Sequence, residues 1–234
     1  GLASGLYSAL ILLLFTLGGG LQLIDEVSRS WSQNMLTTGV AFILATVFIS
    51  ALLEMPFSLY KTFGLESRFG FNKTTPALYL TDLLKQTLLF LLIGAPLIFI
   101  ALWLMQASGE FWWLYLWLVW MGFNLVAMVI YPIWIAPLFN KFEALDDDAI
   151  RSSVTRLMDR TGFKVQGLFV VDGSRRSAHS NAYFTGLGKS KRVVFFDTLL
   201  NTLSADEIVA VLAHELGHFK RRHIIKRIGV FFLV

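Results

Sequence analysis

Cysteine is absent from all 234 residues. That excludes a disulfide framework and any thiolate metal site, so a metal held by this chain must use His, Asp or Glu. Charge is scarce as well: 15% of the residues are charged and 56% are hydrophobic, where a soluble domain carries roughly 25% and roughly 45–50%. Basic residues exceed acidic ones only to a net +4, too little to single out nucleic acid as a partner. There is no internal repeat and no low-complexity tract. The apolar excess gathers into a few long runs, which is how a bilayer-spanning chain reads.

Four runs, Leu2–Ile24, Leu36–Leu53, Thr87–Met105 and Phe111–Ile135, approach or exceed the roughly 18–25 apolar residues a helix needs to cross a bilayer. They must be helical, because lipid offers no partner for free backbone N–H and C=O groups. Gly18–Gly20, Gly94, Pro96 and Pro132 would break soluble helices but are tolerated in membrane ones. Trp112, Trp113, Tyr115 and Trp117 form an aromatic belt near one end of the fourth run. Residues 25–35 carry Asp25, Glu26 and only Arg29, whereas 56–86 hold Lys61, Arg68, Lys73 and Lys85 against Glu66 and Asp82. Residues 106–110 hold only Glu110, and Lys141–Arg227 carries fifteen Lys or Arg. Basic connections therefore alternate with non-basic ones, which puts 56–86 and 141–227 on the cytoplasmic side of a multi-pass protein.

Leu2–Ile24 has neither a basic leader nor a small-residue cleavage site, so it does not read as a signal peptide. The chain opens on Gly1, and Ile228–Val234 reads as a hydrophobic segment cut short. Both ends lead to the expectation of a piece of a longer protein. The expected organisation is membrane helices over residues 1–140, a water-soluble domain over 141–223, and the start of a further membrane helix over 224–234.

Within that domain, Asp146–Asp148 supply negative charge at a helix start, and Ile150, Val154, Leu157 and Met158 share one face. Gly162 is the expected stop. Leu168–Val171 reads as a buried strand. Ala182–Phe184 and Val193–Phe196 flank a Gly186–Gly188 turn region, the pattern of a hairpin. Ser204 and Glu207 form the S-x-x-E pattern of a capping box, opening a helix expected to reach about Arg222.

That helix contains His214-Glu215-Leu216-Gly217-His218, the H-E-x-x-H pattern. A spacing of four puts both imidazoles on one face, one turn apart, where they can grip one ion. Zinc suits the set, since it accepts imidazole and carboxylate around an open position and brings a bound water to a pKa of about 7. His214 and His218 are the expected ligands of one zinc ion, and Glu215 the general base that takes the water's proton. One protein ligand is still needed. Glu207 lies seven residues before His214, about 10 Å along the axis and too far to share the ion. Glu143 and Asp146–Asp148 remain possible but read better as a surface cap, and a glutamate beyond Val234 is expected instead. His179 precedes a strand and reads as structural or substrate-facing. His223, with Lys220, Arg221, Arg222, Lys226 and Arg227, reads as a basic collar at the headgroups.

Five stretches together carry a family resemblance: Ser67–Thr75 (S-R-F-G-F-N-K-T-T), Ile135–Phe142 (I-A-P-L-F-N-K-F), Ser174–Gly186 (S-R-R-S-A-H-S-N-A-Y-F-T-G), Lys191–Leu199 (K-R-V-V-F-F-D-T-L) and the H-E-L-G-H helix. In this order, over residues 65–223, the chain closely resembles the type 1 CAAX prenyl proteases, integral-membrane zinc metalloproteases. The resemblance implies a mostly α fold: a barrel of seven transmembrane helices around a water-filled chamber. A small α+β zincin-like domain would be inserted between helices and close one end on the cytoplasmic side. It also implies one further helix ahead of this chain and a glutamate ligand well downstream of the zinc helix. Asn181, Ala182 and Tyr183 would lie on an edge strand that pairs with an extended peptide substrate. Members acting on prenylated proteins remove the three residues after the lipidated cysteine, in the endoplasmic reticulum membrane. A bacterial inner-membrane member could serve protein quality control, like the HtpX group. A transporter or scaffold is the remaining reading, disfavoured because Asn124 is nearly alone as a polar group inside a run.

Overall fold

The computed structural model describes residues 2–185 and 191–220, with side chains from residue 5 to 217 within those limits. The described chain divides into two compact units, Gly1–Phe69 with Pro76–Val119, and Gly70–Thr75 with Trp120–Val234.

The first unit is helical. Among the described residues three helical stretches, Met35–Glu66, Pro76–Ala107 and Gly109–Phe139 (the last running on into the second unit), are long and apolar enough to cross a membrane, a number that becomes four if one bent pair counts as a span. They overrun the apolar runs at their ends. A helix of 32 residues is about 48 Å long, well beyond the roughly 30 Å hydrocarbon layer. Lys61, Glu66, Asp82 and Lys85 therefore continue the helices where headgroups and water can solvate them. The bent pair is the first apolar run, which forms α1 (Leu2–Thr16) and α2 (Gly20–Trp31), at 53° to each other rather than as one straight helix. Gly19 between them sits at φ 78, a left-handed conformation that ends an α-helix. α3 (Met35–Leu59) is capped by Asn34, whose Oδ1 accepts from the Leu36 and Thr37 N–H groups at 2.9 and 3.3 Å. The Tyr7 hydroxyl of α1 donates to the Leu53 carbonyl of α3 at 2.9 Å.

Each long helix contains a π-helical turn: Tyr60–Glu66 after α3, Phe90–Gly94 between α4 (Pro76–Leu89) and α5 (Ala95–Ala107), and Tyr131–Ile135 between α6 (Trp112–Ile130) and α7 (Ala136–Phe139). In the first two an aromatic ring opening the turn lies over a glycine four residues on. A Cβ at Gly64 would meet the Tyr60 ring at 3.1 Å, and one at Gly94 the Phe90 ring at 3.1 Å.

The second unit is built on a four-stranded sheet of order β1-β2-β4-β3, from β1 (Phe142–Ala144), β2 (Gly167–Val171), β3 (Ala182–Thr185) and β4 (Arg192–Phe196). β1 is antiparallel to β2, β2 parallel to β4, and β3 antiparallel to β4. The hairpin expected from the sequence is therefore present as paired strands, while its Gly186–Gly188 turn lies outside the described residues. α8 (Asp148–Thr161) starts where Asp147 accepts from the Ile150 N–H at 2.9 Å and stops at Gly162, φ 66. With α9 (Asp197–Thr202) and α10 (Ala205–Lys220) it covers one face of the sheet. The core there includes Ile150, Val154 and Met158 of α8, Ala182 of β3, Val193 and Phe195 of β4, Leu199 of α9, and Ile208, Leu212 and Leu216 of α10. Val154, Val193, Phe195, Ile208 and Leu212 are 0% exposed.

Candidate metal centre and substrate edge

α10 carries the H-E-x-x-H residues because its start is fixed by Ser204 and Glu207. Glu207 Oε2 accepts from the Ser204 N–H at 2.8 Å and from the Ser204 hydroxyl at 2.7 Å. Only the reach-back half of the expected capping box forms. The serine hydroxyl donates to the carboxylate instead of accepting from the helix. These bonds, backbone first, hold the Glu207 carboxyl below its usual pKa.

Ile208, Leu212 and Leu216 recur every four residues and anchor α10 on the core, against α8 and β3. His214 lies on a different face of the same helix and is exposed, while Glu215, next to it, is half-buried. His218 follows one turn later on the described backbone, and its side chain lies outside the described atoms. The donor set fits zinc: two imidazole positions one turn apart on a continuous helix, the first of them, His214, exposed. Among the described residues no three His, Asp or Glu side chains come together. Glu143 is on β1 opposite Val170, and Asp147 is occupied as the α8 cap. His223 lies outside the described residues.

β3 lies at one edge of the sheet, and its hydrogen bonding decides which groups face outward. The Phe196 N–H donates to the Asn181 carbonyl at 2.9 Å, and Ala182 lies opposite Phe195. In an antiparallel ladder the bonded pairs alternate. Asn181 and Tyr183 therefore turn their backbone groups to β4, while Ala182 and Phe184 turn theirs away from it. Of the three residues expected on this edge, only Ala182 presents its backbone, and Phe184 joins it. The Ala182 N–H is taken by the Asn181 side-chain oxygen at 2.8 Å. The Ala182 side chain is 3% exposed within the core. Tyr183 points to the other face, where its ring meets Phe196 edge-on with centroids 6.3 Å apart. Burial, and then Tyr131 nearby, push the Tyr183 phenol above its ordinary pKa.

Comparison with known proteins agrees with this architecture. Residues 1–141 match the family described as CAAX prenyl protease N-terminal, five membrane helices, and 144–234 match peptidase family M48. The CAAX prenyl protease 1 homolog of Arabidopsis thaliana is 44% identical over 192 residues, 82% of this chain and 45% of that protein. CAAX prenyl protease 1 of Saccharomyces cerevisiae is 46% identical over 182 residues, 77% of this chain and 40% of that protein. The crystal structure of S. mikatae Ste24p superimposes with a TM-score of 0.92 at 38% identity, covering 98% of this chain and 56% of that one. The membrane-crossing helices match the first of these families, and the unit with the small sheet and the H-E-x-x-H helix matches the second, which places the chain in the M48 class. Within that class, the chain belongs to the CAAX prenyl protease family, and it is a multi-pass integral membrane protein. It spans about half the length of the curated relatives it matches.

Proposed function

We propose that this chain belongs to a zinc metalloendopeptidase that processes the C-termini of prenylated CAAX proteins. The observation that carries the reading is the packing of α10, with its H-E-x-x-H residues, against an edge strand whose Ala182 and Phe184 backbone groups face outward. His214 and His218 would hold one zinc ion, with a third ligand, a glutamate, supplied from beyond residue 234. Zinc bound there supplies a Lewis acid and a readily deprotonated water. The Glu215 carboxylate would serve as the proton acceptor and then as the donor to the departing amide nitrogen. An extended peptide pairs with β3, its carbonyl replacing the Asn181 side chain on the Ala182 N–H. The freed Asn181 amide and the Tyr183 ring then flank the peptide.

The cytoplasmic side is the proposed location of the peptidase part. The basic connection after α3 supports it: its Lys73 N–H donates to the Arg176 carbonyl at 3.0 Å, so the two basic segments share a side. The CAAX reading is favoured over a broader quality-control protease or a transporter by the curated relatives, named as CAAX prenyl proteases.

The test is Glu215→Gln in the full-length protein. Zinc content by elemental analysis should stay at one per chain, and cleavage of a farnesylated peptide should fall by about a thousandfold or more. Normal turnover by that variant would sink the assignment.

A further inference from the structure

Residues Gly70–Thr75 belong to the compact unit of the sheet, although the sequence places them between two membrane-crossing helices. They run antiparallel to Arg176–Ala178, with Asn72 bridged to Ser177. The Ala178 N–H donates to the Phe71 carbonyl at 2.9 Å, and the Lys73 N–H to the Arg176 carbonyl at 3.0 Å. The Thr74 hydroxyl adds a second bond to that Arg176 carbonyl at 3.1 Å. Asn72 shapes the segment internally, its Oδ1 accepting from the Thr74 N–H at 2.8 Å. Finally, the Phe71 ring stacks on the His179 imidazole, centroids 4.4 Å apart and planes at 16°.

The gripped stretch leads straight into the substrate edge. Ser177–Ser180 has no strand or helix of its own, yet it sets where Asn181 and Ala182 enter β3. On its other side the Thr198 hydroxyl donates to the His179 carbonyl at 3.0 Å. The approach to β3 is thus held between α9 and a strap more than a hundred residues away in sequence. None of the strap belongs to the hydrophobic core, and Phe71 is 41% exposed. α10 is anchored independently, through Ile208, Leu212 and Leu216. The strap therefore acts on the peptide-binding edge and not on the metal helix.

We propose that Phe71–Thr74 is a positioning element for substrate, with Phe71 its principal positioning residue: the Phe71 ring stacked on His179 and the pairing of Asn72 with Ser177 hold the Ala182 edge in register for an extended peptide. This rests on the reading that the peptide pairs with β3. Loosening the strap leaves the chemistry of α10 intact but makes the edge pay ordering entropy each time a peptide docks, so the loss falls on binding.

The test uses full-length protein in detergent and a quenched peptide carrying a farnesylated cysteine four residues from its C-terminus. Phe71→Ala should raise KM about tenfold, with kcat within about twofold and zinc content unchanged. Phe71→Tyr, which keeps the ring face, should restore KM. Asn72 and Ser177 form a non-hydrogen-bonded antiparallel pair, whose Cα atoms lie about 4.5 Å apart, within disulfide range. Asn72→Cys with Ser177→Cys, oxidised, should therefore rescue Phe71→Ala, and these 234 residues offer no competing cysteine. Ala182→Pro, which deletes the N–H that points away from β4, is the control and should also raise KM. An unchanged KM in Phe71→Ala beside a raised one in Ala182→Pro would overturn the strap and spare the edge. An unchanged KM in Ala182→Pro would overturn both. Loss of kcat and zinc in Phe71→Ala, unrescued by the disulfide, would make the strap merely structural and also overturn the proposal.

Discussion

Leu92 and Phe195 are both large apolar side chains, but Leu92 is 73% exposed on a membrane-crossing helix and Phe195 is 0% exposed among α8, α9 and α10. The first lies on a helix long and apolar enough to cross a membrane, where lipid can solvate such a side chain; the second left water by closing a core around itself. In the long helices apolar residues face every direction. In α8 and α10 they keep to one stripe, at Ile150, Val154 and Met158 and at Ile208, Leu212 and Leu216. Similar hydrophobicity thus serves two tasks, and periodicity, not amount, tells them apart.

Truncation should separate the two regions most strongly. Phe195→Ala should cost about 3–5 kcal/mol through lost burial and a residual cavity. Leu92→Ala, with lipid to fill the space, should cost under about 1 kcal/mol. Thermal unfolding in detergent, followed at each region, reads both; equal losses would break the comparison. A smaller effect should follow from Gly173→Ala. The new Cβ would stand 2.5 Å from the Phe196 ring, so the ring or the turn must shift at about 1–3 kcal/mol. Restored stability in Gly173→Ala combined with Phe196→Leu would sharpen the assignment to that contact.

The smallest effect is on acid sensitivity. The Glu207 carboxyl has a lowered pKa, because the Ser204 N–H and then its hydroxyl bind the ionised form. A carboxylate depressed in the folded state stabilises it above the unfolded pKa and loses that contribution as pH falls through the folded one. The start of α10 should therefore loosen below about pH 4, seen as faster amide hydrogen exchange there. Glu207→Gln should remove that pH dependence, and an unchanged acid response in the variant would refute the role given to this pair.

Membrane helices are legible because lipid permits no unsatisfied backbone, so their apolar runs must be long and continuous. Their ends are not, since beyond the hydrocarbon layer a helix such as Tyr60–Glu66 can go on with Lys61 and Glu66 in it. The break at Gly19 depends on one left-handed residue that the apolar run conceals. In the sheet, β3 and β4 announce themselves by Val, Phe and Tyr around glycines. β1 has only Phe142–Ala144 and shows no period. The parallel pairing of β2 with β4 joins strands far apart in sequence and leaves no local trace. The spacing of His214, Glu215 and His218 on a helix was legible because one turn of helix dictates it. That Ala182 and Phe184, not Tyr183, offer their backbone to the edge depends on ladder register, which only the paired strand sets. The strap at Phe71–Thr74 was invisible for the same reason.

The π-helical turns within the long helices bear on chain length. A π-turn absorbs one more residue than an α-turn while the helix on either side keeps its axis. Removing one residue from Phe90–Gly94 would convert it to α-helix and leave α4 and α5 facing as before. Removing one residue elsewhere in Pro76–Ala107 would rotate everything after it by about 100°. A span of this protein thus has one place where its length can change by a single residue without turning its faces, and natural insertions and deletions should collect there.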